Sequence, residues 1–132
     1  MSRILALDYG AARCGCALSD PSGTLATPLP VVEQPGTRKG LGRVADVVAD
    51  NGVEEVVVGL PLTLRGEEGA QAAETRDWAA RLERRLQGIP VHLYDERLTT
   101  RQAERTGGSA AADSRAAAHL LEAYLDSRRN AD

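Results

Sequence analysis

Hydrophobic positions along the chain follow two periods. Ile4 to Leu7 is a short apolar run ending on Asp8, and Cys14 to Leu18 is a second run after Tyr9-Gly10. Together they predict a strand, a tight turn and an antiparallel return strand, with Gly10 supplying the positive φ that such a turn can require. Asp20-Pro21-Ser22-Gly23 reads as a turn. Thr24 to Thr27 is predicted as a third short strand, ended by Pro28 and Pro30. Helical spacing takes over from Thr37 to Asn51, where Leu41, Val44, Val47 and Val48 recur on one side and Gly52 marks the stop. Glu55 to Leu62 is a β-branched strand of the kind buried on both faces, broken at its carboxyl end by Gly59 and Pro61. A helix from Ala70 to Leu86 carries Trp78, Leu82 and Leu86 as its apolar stripe and Arg81, Arg84 and Arg85 on its wet face. Val91 to Tyr94 is a strand terminated by Asp95-Glu96-Arg97. Thr99 with Gln102 fits a capping box for a short helix, and Gly107-Gly108-Ser109 reads as a loop. A last helix covers about Ala112 to Arg128, with Ala117, Leu120, Leu121, Tyr124 and Leu125 on its apolar face.

A meander of strands followed by strands alternating with helices predicts an α/β fold. The expected sheet is mixed and five-stranded, three antiparallel strands then two parallel, with helices on both faces. Residues 1–132 read as a single domain, without repeat or linker.

Composition narrows the chemistry. Phe is absent, so Val, Leu, Ile and Ala must build the core. A net charge of −3 gives no global attraction for nucleic acid, so a polyanion would have to meet a local basic patch or bound metal ions. No apolar run approaches the ~20 residues of a membrane span, and a strand starting this early leaves no room for a signal peptide. A cytoplasmic location is the expectation. Cys14 and Cys16 share one face of a strand, where a bridge between them would be strained, so they read as buried apolar residues.

In open α/β sheets the functional crevice lies beyond the carboxyl ends of the strands. Asp8, Gly59 and Glu96 stand at three such ends. Asp113 shares a helix face with residues 117, 120 and 124, so it is either a helix-start cap or a ligand held against the sheet. Three convergent carboxylates repel one another unless some are protonated or a cation neutralises them. Hard oxygen ligands suit Mg²⁺ or Mn²⁺, and a pair of such ions can activate water and stabilise the leaving oxygen of a phosphodiester. Spacing alone goes no further than a candidate metal site. Arg13 is a candidate phosphate contact near Asp8. Gly59 either admits a nucleotide backbone or simply ends its strand. Arg97 either reaches phosphate or ties the carboxylates together. Asp95 alternates away from Glu96 and reads as structural.

Four motifs occur in order: Leu7-Asp8-Tyr9-Gly10 with Arg13-x-Gly15-x-Ala17-x-Ser19-Asp20; Val58-Gly59-Leu60-Pro61-Leu62; Asp95-Glu96-Arg97-Leu98-Thr99-Thr100; and Asp113 with Ala116-Ala117 and Leu121-x-x-Tyr124-Leu125. Together they resemble the YqgF/RuvX family of pre-16S rRNA nucleases, also described as Holliday-junction-resolvase-like, over essentially the whole chain. The resemblance implies an RNase H-like fold. It also implies divalent metal, two ions of Mg²⁺ or Mn²⁺, on a catalytic cluster of Asp8, Glu96 and Asp113. Arg13, Gly59, Arg97 and Arg101 are the expected substrate contacts. The implied substrate is structured RNA, the 5′ end of the 16S rRNA precursor, with association with the ribosomal subunit. Between Thr100 and Asp113 only Arg101 and Arg105 are basic, a shorter and less basic segment than relatives carry there.

Three alternatives differ in class. A resolvase cutting branched DNA would use the same site, and as a homodimer, whereas the RNA reading allows a monomer. A nucleotide-binding module would use Asp8-Tyr9-Gly10 as a phosphate loop, but that architecture needs a second lobe. An RNA-binding assembly factor would bind without cutting.

Overall fold

The computed structural model of the chain describes residues 3–63, 65–96 and 110–131. Strands β1 (Ile4–Tyr9), β2 (Arg13–Ser19) and β3 (Ala26–Glu33) come first, followed by helix α1 (Arg38–Asp50). Strand β4 (Glu55–Leu60), helix α2 (Ala70–Leu86), strand β5 (Val91–Asp95) and helix α3 (Ala110–Ala131) complete the order. The five strands form one sheet in the order β3-β2-β1-β4-β5. β1 pairs antiparallel with β2 and parallel with β4, so it is the centre of the sheet. β3 adds antiparallel to β2, and β5 parallel to β4. This is the expected mixed sheet.

Alternation along β1 divides the molecule into two layers. Leu5 and Leu7 join Val44 and Val48 of α1 and Trp78 and Leu82 of α2 in one apolar cluster. Ile4 and Ala6 join Ala117, Leu120 and Leu121 of α3 in the other. Helices therefore cover both faces, and Asp8, two residues beyond Ala6, turns toward the α3 layer. Trp78 fixes the first layer at its top: its indole N–H donates to Pro35 O at 2.9 Å, and its ring stacks on Tyr9 with centroids 4.7 Å apart. Both cysteines are free and buried, as small apolar residues.

Three expectations need correction. β3 does not end at Pro28 and Pro30 but runs through both to Glu33. It can do so because it lies at the sheet's edge, where a missing N–H costs no interior ladder bond. A register shift also falls here: Cys14 pairs with Val32 and Cys16 with Leu29, so β3 accommodates one extra residue. Gly10 is not among the glycines at positive φ. Its constraint is steric, because a Cβ there would stand 2.9 Å from Arg13 O. Gly59 does not break β4, which continues to a buried Leu60. The short helix proposed at Thr99–Gln102 and the loop at 107–109 lie outside the described residues.

Candidate active site

Asp8 is 7% exposed on the central strand, near its carboxyl end. Directly opposite it on β2 is Gly15. On the other side, Leu7 pairs with Val58, which puts Gly59 next along the parallel strand β4. Glycines thus stand where side chains would crowd the carboxylate from either side. Each bare backbone admits another element. A Cβ on Gly15 would lie 2.1 Å from Asp113 O and 2.5 Å from Asp113 C, so the first turn of α3 rests directly on β2. A Cβ on Gly59 would lie 3.4 Å from Glu96 Oε1 and 3.2 Å from a Leu120 methyl. Glu96, at 7% exposure just past β5, therefore comes in over Gly59 on the α3 face. Asp8, Glu96 and Asp113 all lie on that face, at the carboxyl ends of the parallel strands, where the topology puts a functional crevice.

Asp113 has a defined partner. Arg13 Nε donates to Asp113 Oδ2 at 2.8 Å, joining the first residue of β2 to the first turn of α3. The two side chains are 29% and 25% exposed. The next residue holds the helix down as well: Ser114 Oγ donates to Leu29 O at 2.6 Å. The Cys14 thiol senses the acidic groups. Its contact with the Cys16 thiol, then burial, then the negative charges of Asp8 and Asp113 push it well above its ordinary range.

Hard carboxylate oxygens are the right donors for Mg²⁺ or Mn²⁺. The arrangement is not that of a formed metal centre. Among the described residues, no three His, Cys, Asp or Glu side chains group closely enough to hold an ion. Asp113 Oδ2 faces a guanidinium instead. The structure brings the three acids to one face at one end of the sheet without closing them into one coordination sphere.

Of the other expected contacts, Arg13 and Gly59 border this region, and Arg97 and Arg101 lie outside the described residues. The sequence reading gave Gly15 no structural task. Its signal was a glycine in mid-strand, which marks a close backbone approach. It also missed a groove of about 360 Å³ beside the site, between Pro28–Val31 of β3 and Ala111, Ser114 and Arg115 of α3.

A family model described as "RuvX: Holliday junction resolvase" matches residues 2–127. A curated relative from Nocardioides sp., named "Putative pre-16S rRNA nuclease", is 45% identical, covering 95% of this chain and 88% of its own. A relative of the same name from Mycobacterium ulcerans is 43% identical, covering 96% of this chain and 80% of its own. Among solved structures, Thermus thermophilus RuvC in complex with a Holliday junction substrate superposes with a TM-score of 0.63. It is 18% identical and covers 98% of this chain and 97% of its own, a likeness of fold. That fold is the RNase H-like one expected from the motifs.

Proposed function

Because the chain belongs to the RuvX family, we propose that it is a nuclease that hydrolyses phosphodiester bonds of structured RNA, in maturation of the 16S rRNA 5′ end. The observation that carries the reading is Asp8, nearly buried at the end of the central strand, with Gly15 opposite it and Asp113 and Glu96 on the same face. Burial of a carboxylate in a crevice is costly unless a cation or a hydrogen bond compensates it. In this reading Asp8, Glu96 and Asp113 are the catalytic acids and the ligands of divalent metal, Mg²⁺ or Mn²⁺, as two ions. Such ions, when bound, supply positive charge for a polyanion that a chain of net charge −3 lacks. Arg13 contacts a substrate phosphate at the rim, and Gly59 leaves room for a nucleotide backbone. Arg97 and Arg101 are proposed as further phosphate contacts. The place of action is the cytoplasm, on or near the ribosomal subunit.

A second reading is cleavage of a four-way DNA junction, which the family's description favours. One experiment separates the two. Wild type and Asp8→Asn are assayed with Mg²⁺ and with Mn²⁺ on precursor 16S RNA and on a four-way DNA junction. The expected result is metal-dependent cleavage of the RNA that falls at least about a hundredfold in the variant. Preference for the junction selects the second reading. Equal cleavage by both proteins refutes either one.

A further inference from the structure

Asp113 is needed by the proposed metal cluster, yet its Oδ2 is held by Arg13. The other two acids stand across Gly15 and Gly59 from it without completing a site. We propose that Arg13 is a positioning residue that keeps Asp113 out of the cluster, and that the phosphate of a bound strand draws the guanidinium away and frees Asp113 for metal. Metal loading and substrate binding are then coupled through one ion pair. The proposal rests on the metal-dependent nuclease reading.

The physical basis is competition for a single group. A divalent ion and a guanidinium drawn to the same carboxylate repel one another, so each weakens the other's hold on Asp113. The pair is neither fully buried nor fully in water, so its exchange is feasible: both side chains are about a quarter exposed. A phosphate, like a carboxylate, offers Arg two anionic oxygens that its guanidinium can bridge, so it competes for Arg13. Local hydrogen bonds keep α3 in place during the exchange, because Ser114 stays tied to Leu29 O at 2.6 Å. Linkage then requires that RNA raise metal affinity by the same factor that metal raises RNA affinity.

The test is Mn²⁺ binding, read by calorimetry or by loss of the free-ion spin signal, on wild type, Arg13→Gln, Asp113→Asn and the double variant. Each is measured with and without an RNA that carries a non-hydrolysable linkage. Without RNA, Arg13→Gln binds Mn²⁺ about tenfold more tightly than wild type, within the usual 5–150-fold span of coupled sites. In the Asp113→Asn background the same substitution changes affinity little. RNA tightens Mn²⁺ binding to wild type and has a smaller effect on Arg13→Gln. An equal gain in both backgrounds would mean that Arg13 acts only by its general field, and the exchange is refuted. An unchanged or weaker affinity in Arg13→Gln also refutes it. Absence of Mn²⁺ binding to every form, with RNA present, refutes the metal reading and the exchange together. Arg13→Lys guards against a folding defect: it keeps the charge but not the planar donor, and should fall between wild type and Arg13→Gln.

Discussion

Replacing Gly15 with alanine puts a methyl group 2.1 Å from the carbonyl oxygen of Asp113 and 3.1 Å from the amide nitrogen of Ser114. Both neighbours are backbone, so no rotamer change relieves the clash. The first turn of α3 must retreat by roughly 1 Å to restore ordinary contact. That movement works against the Ser114 bond to Leu29 O and the Arg13–Asp113 pair. Overpacking of this kind costs about 1–3 kcal/mol. Weakening one part-buried hydrogen bond adds about 1 kcal/mol. The expected loss is therefore about 2–4 kcal/mol, which lowers the melting temperature by roughly 6–15 °C in a chain of this size. Displacing Asp113 by the same distance should lower cleavage about a hundredfold even where the protein remains folded. Thermal unfolding by circular dichroism reads the first effect, and metal-dependent cleavage well below the midpoint reads the second. Gly69→Ala is the control: nothing stands within 4 Å of a Cβ there, and it should cost less than about 1 kcal/mol as a change of helix cap. A Gly15→Ala protein that melts within about 2 °C of wild type and cleaves at the wild-type rate would refute the packing argument.

Two further outcomes follow from the lower half of the molecule and from the first layer. Glu55, 9% exposed, accepts from Tyr124 Oη at 2.6 Å and Arg128 Nη1 at 2.7 Å, with His92 Nε2 at 3.2 Å. Glu55→Gln should cost about 1–2 kcal/mol in denaturant unfolding, mainly through the tyrosine bond, because Arg128 and His92 are about half exposed. Burial first, and then the bonds to Glu74 and Glu55, push the Tyr9 and Tyr124 hydroxyls up to about 12. Unfolded tyrosine ionises near 10, so these groups add stability below about pH 10 that is lost as pH rises toward 12. Tyrosinate absorbance against pH, compared with Tyr9→Phe and Tyr124→Phe, tests this; removal of neither should leave the late component intact.

The sequence reading followed periodicity well and followed long-range contact poorly. The stripe of Trp78, Leu82 and Leu86 placed α2 at its observed bounds. Helix α1 runs one residue inside the predicted limits at each end, and those limits, Thr37 and Asn51, are its caps. The strand of Val56, Val57 and Val58 was equally plain, because those side chains are fully buried. β3 was shortened because two prolines argue against a strand until its edge position is known. That position depends on which strands pair, which no local pattern states. Asp8 and Glu96 could be singled out from the rule that places sites at carboxyl ends of strands. The partner of Asp113 could not, since Arg13 lies a hundred positions away. Gly15 and Gly10 illustrate the same gap. A glycine can serve dihedral freedom or close packing, and only the neighbour in space tells which.

The prolines of β3 have an effect beyond the strand itself. They occupy the border of the sheet, where an extended segment of another polypeptide could otherwise add itself as a sixth strand. Pro28 and Pro30 carry no N–H to offer a partner strand, and the extra residue between Leu29 and Val32 breaks the strand's regular spacing. An incoming strand would meet an interrupted row, so the sheet resists growth into fibrils along this side.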